Sequence, residues 1–173
     1  VLRIVTLGTN VVFGYMKGLQ PLVGFNYGAK NYERVREAIK ASVKWTNVFC
    51  LVWTVIVYIF APSILSIFGT DENVLNIAVP ALRAAVIMFI TFGFQFTYST
   101  LYLSTGKALG GVFLNSLRQG IVFIPIILLL PKFMGLNGVI YAQTISDLIT
   151  TIITIPFAIS IHKKLRLAIK NNL

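Results

Sequence analysis

Apolar positions in this chain gather into five long runs, at about 1–28, 43–68, 74–104, 109–130 and 138–161. A helix rises about 1.5 Å per residue, so roughly 20 apolar residues cross a hydrocarbon core about 30 Å thick. In lipid each backbone polar group must be bonded within its own segment, and these runs are too long for barrel strands, so each is predicted to be a helix. Polar punctuation separates them: Ala61-Pro62-Ser63 and Phe68-Gly69-Thr70-Asp71 close the second run, Ser104-Thr105-Gly106-Lys107 with Gly110-Gly111 follows the third, and Pro131 to Gly135 parts the last two. Between the first two runs, Val35, Ile39 and Val43 recur at i, i+4, i+8, and Glu33/Arg36 and Glu37/Lys40 are spaced as i,i+3 pairs. That pattern predicts an amphipathic elbow over 31–42, lying at the headgroups before the chain turns into the second span. The fold class expected is an all-α membrane protein of about five transmembrane helices.

Composition agrees with the pattern. Of 173 residues, 57% are hydrophobic and 12% charged, and the mean hydropathy is +0.83, whereas a soluble domain is about a quarter charged. The chain opens on Val1-Leu2-Arg3-Ile4-Val5, which resembles the inside of a helix and predicts a cut N-terminus. Cys50 is the single cysteine, so no intrachain disulfide can form. His162, the single histidine, stands beside Lys163 and Lys164 and is expected at a solvated end.

The net charge of +10 would suit nucleic acid if the cations formed one patch. They alternate with topology instead. Lys30, Arg34, Arg36, Lys40, Lys44, Lys107, Lys163, Lys164, Arg166 and Lys170 fall in one set of connections and Lys132 alone in the other, ten against one. By the positive-inside rule the loop after the first span and the tail at 162–173 are cytoplasmic. The expected setting is multi-pass in the plasma membrane, with no nucleic-acid partner.

Polar side chains at membrane depth are costly and face a cavity or one another. Asp147 lies about 9 residues into the last run, roughly 14 Å along a helix. Gln143 precedes it by one turn, and Ser146, Thr150 and Thr154 extend the stripe. Arg118 sits at a similar depth in the neighbouring antiparallel run, within about 5 Å in height. An Arg118–Asp147 contact is predicted, either as a fixed ion pair clamping two helices or as a site where Asp147 exchanges a proton or cation. In the first run Lys17, Gln20 and Gly24 fall near one stripe, and Pro21 would free a carbonyl at a cavity wall. Gln95, Tyr98 and Tyr102 recur at i, i+3, i+7, a pattern that serves packing or the lining of a cavity for flat cations. No Gly-rich Lys loop, HExxH, cysteine cluster or Ser/His/Asp set is present in the sequence, so neither an enzyme nor a cofactor is expected.

Four stretches, in order, resemble the C-terminal lobe of the MATE (multidrug and toxic compound extrusion) transporters. Gly18-Leu19-Gln20-Pro21-Leu22-Val23-Gly24-Phe25-Asn26-Tyr27-Gly28-Ala29-Lys30-Asn31 is similar to the end of that family's eighth helix. Tyr102-Leu103-Ser104-Thr105-Gly106-Lys107 resembles the exit of helix ten, Arg118-Gln119-Gly120-Ile121 with Pro125 and Pro131 helix eleven, and Gly135-Leu136-Asn137-Gly138-Val139 with Ser146-Asp147 helix twelve. The resemblance implies helices eight to twelve of a twelve-helix, two-lobe exporter. Such a carrier exchanges cationic or amphipathic organic compounds for Na+ or H+ by alternating access. Its implied partners are the bilayer, small organic cations, and the N-terminal lobe and helix seven of the same protein. Lys17, Gln20, Gln95, Tyr98 and Gln143 are the expected substrate cavity. Some members carry an acidic cation ligand in helix ten; here it has Gln95 and Tyr98 and no carboxylate, which leaves the coupling ion open. Two alternatives remain: a lipid-linked oligosaccharide flippase of the same superfamily, using Lys17 and Arg118 on pyrophosphate, and a non-transporting membrane subunit.

Overall fold

A computed structural model describes residues 1–67 and 72–171. The turn Phe68-Gly69-Thr70-Asp71 and the last tail residues Asn172 and Leu173 lie outside the described residues. The elements are α1 (Leu2–Gly28), α2 (Tyr32–Ile59), α3 (Ala61–Ser66), α4 (Glu72–Ile87), α5 (Phe89–Ser104), α6 (Ala108–Ser116), a π-helical turn (Leu117–Ile121), α7 (Phe123–Met134) and α8 (Leu136–Asn171). No strand occurs among the described residues.

Among the described residues, three helical stretches are long and apolar enough to cross a membrane: Tyr32–Ile59, Ala108–Met134 and Leu136–Lys170. A fourth span arises if α4 and α5, bent by 42° where they meet, are counted together. The expected five thus become three or four by this measure. Helix α1 is long enough at 27 residues, but Arg3, Asn10, Lys17, Gln20 and Asn26 interrupt its apolar surface.

Helix α5 sits at the centre, touching α1, α2, α6 and α8. One apolar core joins them: it holds Val12, Met16, Leu19 and Val23, the buried stripe of α1, together with Phe92 and Leu101 of α5, Ile39 and Cys50 of α2, and Ile161 and Leu165 of α8. The stripe follows the 3.6-residue period, so α1 buries one side and leaves Leu7, Val11, Leu22 and Phe25 exposed on the other. Many large apolar side chains are exposed in this way, as expected where lipid and not water is the neighbour. Gly93 sets the close approach of α2 and α5: a Cβ there would stand 2.9 Å from the Thr46 carbonyl carbon.

Several boundaries differ from those the sequence predicts. The elbow at 31–42 is no separate element; α2 runs unbroken from Tyr32, and Val35 and Ile39 are fully buried in the protein core. The Glu33/Arg36 and Glu37/Lys40 pairs do not close, since Arg118–Asp147 is the sole ion pair among the described residues. The tail beyond 161 is not a free end, because α8 continues to Asn171 and buries Leu165. Pro131 does not end the fourth run but lies inside α7, one turn before Gly135 closes it at φ 55°. A membrane helix can carry on past a proline where neighbouring groups and local adjustment of the backbone satisfy the freed carbonyl. The fourth run is also not a uniform α-helix. Pro125 cannot donate to the Ile121 carbonyl four residues back and its ring crowds that group, so the turn before it widens, with Val122 N–H bonding to Leu117 O.

The α4–α5 bend is held by two threonines on neighbouring helices. Thr54 of α2 donates to the Val86 carbonyl at 3.0 Å and Thr144 of α8 to the Ala84 carbonyl at 2.9 Å. Both are backbone groups beside the break, where the helix ladder is interrupted. At the turn after α5, burial and the positive charge of Lys164 push the Lys107 ammonium below its usual pKa.

Candidate functional site

The polar stripe of α8 faces inward and meets the π turn on one side and α5 on the other. Asp147 is almost fully buried, its side chain 4% exposed against 15% for Arg118. Arg118 Nε lies 2.9 Å from Asp147 Oδ1 and its Nη2 is 3.4 Å from Oδ2, the contact that the register of the two helices calls for. Gln143 Nε2 donates to the same Oδ1 at 2.9 Å. The guanidinium also lies over the Phe92 ring of α5, 4.4 Å from its centroid, where the ring face stabilises the cation. The widened turn supplies a further link, since the Arg118 carbonyl receives the Ser146 hydroxyl at 3.3 Å. Two opposite charges in a dry interior compensate part of their desolvation only when their remaining hydrogen-bonding positions are filled. Gln143 fills one of them here, and the Phe92 ring adds a cation–π contact.

On the α5 side, Gln95 Nε2 donates to the Asp147 carbonyl at 2.9 Å and to Thr151 Oγ1 at 2.6 Å. The amide orientation is fixed by chemistry. A carbonyl accepts only, and the single Thr151 hydroxyl proton is spent on the Asp147 carbonyl at 2.6 Å, so both neighbours need a donor from Gln95. Its Oε1 is buried and makes no hydrogen bond. Further along the same face, Tyr98 OH and His162 Nε2 are 2.7 Å apart, and Tyr102 OH donates to the Phe157 carbonyl at 3.1 Å. The i, i+3, i+7 stripe of α5 is therefore the face on which α8 docks.

The structure joins Gln95, Gln143, Arg118 and Asp147 into one polar layer, with Tyr98 about one turn beyond it. It does not join Lys17 and Gln20, which are exposed on α1 away from the buried stripe. His162 is a correction: it is half-buried and bonded to Tyr98, because α8 continues past the predicted end of the span. Thr151 and Thr91 are layer residues that sequence reasoning missed. Each lies four positions from a residue it did single out, Thr151 from Asp147 and Thr91 from Gln95, and that spacing was the available signal. No group of three or more His, Cys, Asp or Glu that could hold a metal occurs among the described residues.

The MatE family model matches residues 1–129, which is most of the chain. The chain belongs to the MatE family. Among curated relatives of this MatE chain is the Multidrug export protein MepA of Staphylococcus haemolyticus (strain JCSC1435), 24% identical over 163 residues, covering 94% of this chain and 36% of the relative. Among solved structures, the MATE multidrug transporter DinF-BH is 33% identical with a TM-score of 0.83, covering 88% of this chain and 34% of that one. A multidrug resistance MATE family transporter of the MOP superfamily, in its outward-facing conformation, has a TM-score of 0.86 at 18% identity, covering 98% of this chain and 38% of the other. That second likeness concerns the fold. The MatE chain thus spans about a third of the length of the relatives it matches.

Proposed function

We propose that this chain serves as part of a secondary antiporter that exports cationic or amphipathic organic compounds from the cell. The observation that carries the reading is the MatE match over residues 1–129, beside relatives named as multidrug export proteins. The carrier exchanges its substrate for Na+ or H+ by alternating access in the plasma membrane, with the C-terminus of this chain in the cytoplasm. It works as a carrier, without a cofactor and without an enzyme's chemistry. The polar layer then fixes α6, α7 and α8 to α5 as one moving body, and Asp147 is a clamp and not an exchange site. Supporting this, its carboxylate already accepts from both Arg118 and Gln143. The same geometry favours an exporter over an oligosaccharide flippase, because Arg118 is committed to Asp147 and Phe92.

The test is ethidium efflux from vesicles containing the protein that carries this chain, with Na+ or pH gradients imposed in turn. One gradient should drive efflux. Efflux indifferent to both would overturn the antiporter reading. Asp147→Asn should lower thermal stability and leave coupling to the driving gradient intact; lost coupling in a protein of unchanged stability would make Asp147 the exchange site.

A further inference from the structure

A cleft of about 670 Å³ runs between α5 and α8. At one end it is basic, lined by His162, Lys163 and Arg166; along its length it is apolar, lined by Phe94, Ile155 and Ile159. Lys40 and Lys44 of α2 line an adjoining hollow that shares Tyr98 and His162 with it. On the other side the apolar part continues along α2 past Leu51 and Ile90, sharing Phe94 and Ile155. The result is a groove with a cationic mouth and a greasy floor.

Three observations say what fits it. First, the cations at the mouth are unspent: among the described residues no carboxylate lies within ion-pair distance of Lys40, Lys44, Lys163 or Arg166. Second, the depth is right for one leaflet. Ile155 and Arg166 are eleven positions apart on α8, or about 16 Å at 1.5 Å per residue, close to half of a core about 30 Å thick. Third, the rim of the groove is apolar and open on this chain, with Ile159 63% and Leu51 49% exposed. A soluble anion would use the mouth and leave the floor empty, and an aliphatic chain alone would use the floor and leave four cations unpaired.

We infer that the α2/α5/α8 groove binds an anionic phospholipid of the inner leaflet, its phosphate at Lys40, Lys44, Lys163 and Arg166 and an acyl chain along Phe94, Ile155 and Ile159. Clusters of Lys and Arg at the cytoplasmic boundary attract anionic headgroups, and this cluster has an acyl slot beneath it. The inference rests on the cytoplasmic orientation proposed above and not on the transport reaction.

Lipid binding by the protein that carries this chain is measured by native mass spectrometry, titrating phosphatidylglycerol or phosphatidylcholine. Phosphatidylglycerol should bind at least about tenfold tighter, the scale set by one or two Lys or Arg beside an anionic surface. Lys163→Gln with Arg166→Gln should erase the preference, Lys163→Arg with Arg166→Lys should keep it, and Lys132→Gln should leave it unchanged. Equal binding of the two lipids, or a preference that survives the double Gln variant, overturns the proposal. A second arm labels Ile159→Cys with a fluorophore in vesicles containing brominated phosphatidylglycerol. Quenching is expected; its absence would mean that another segment of protein covers the groove, and the lipid assignment would fall. Neither arm reads transport, and sidedness labelling of Lys40→Cys and Lys163→Cys tests the orientation separately, so each failure is distinguishable.

Discussion

Removing one partner of the Arg118–Asp147 pair tests whether the polar layer is an energetic unit. Two unit charges about 4 Å apart attract by roughly 4 kcal/mol at an effective dielectric constant of 20, and desolvation consumes much of that. Arg118→Met leaves Asp147, 4% exposed, without its counter-charge and with only Gln143 as side-chain donor. Losing one member of a buried pair costs about 3–5 kcal/mol. Asp147→Asn is expected to cost less, about 2–3 kcal/mol on the same scale, because Arg118 is 15% exposed and keeps the Phe92 ring. The double variant Arg118→Met, Asp147→Asn removes both charges, so its cost should fall below that of Arg118→Met alone. The coupling energy of the cycle is then about 2 kcal/mol or more, within the range for residues sharing one network. Reversible unfolding in bicelles, followed by helical circular dichroism across the four proteins of the cycle, measures it. Strictly additive costs, with coupling below about 0.5 kcal/mol, would refute the reasoning and leave the pair a geometric coincidence.

Gly93→Ala places a methyl 2.9 Å from the Thr46 carbonyl carbon and must part α2 from α5, at a cost of about 1–3 kcal/mol. Gly14→Ala meets nothing within 4 Å and should be neutral or stabilise by up to about 1 kcal/mol; thermal melts of the two variants should therefore move apart. Gln95→Leu gives up the bonds to the Asp147 carbonyl and Thr151 but also removes an unpaired Oε1. The net loss should be only about 0.5–1.5 kcal/mol, and a loss well beyond that in the same melts would give Gln95 a larger part than joining two helices. Lys40→Cys and Lys163→Cys should react with a membrane-impermeant maleimide from the same face of the membrane, and reaction from opposite faces would undo the topology.

Much of the polar layer was legible because membrane depth makes polarity expensive. Asp147, Arg118, Gln143 and Gln95 stand out in apolar runs, and a fixed rise per residue puts Arg118 within about 5 Å of the height of Asp147. Lys17 and Gln20 stand out equally, yet they are exposed on α1 away from its buried stripe, because one helix's periodicity says which residues share a face and not which neighbour that face meets. His162 was misjudged for a related reason. Its lysine neighbours signal a solvated end, but three residues on, Leu165 returns to the buried stripe and carries the helix and His162 back against Tyr98.

The sequence by itself determined that this chain is helical and suited to a bilayer, that its cations gather at alternate connections, and that its charged pair sits at matched depth. Those properties depend on composition, period and spacing, which are local. Only the tertiary structure decided that residues 32–59 form one helix, that α4 and α5 bend by 42°, and that Gln95 serves α8. The bend shows the reason most clearly. No glycine or proline marks residue 88 as a break, and the carbonyls beside it are held by Thr54 and Thr144, residues 32 and 60 positions away from their acceptors in the chain. Hydrogen-bond partners that distant are chosen by packing, and packing is a property of the assembled helices.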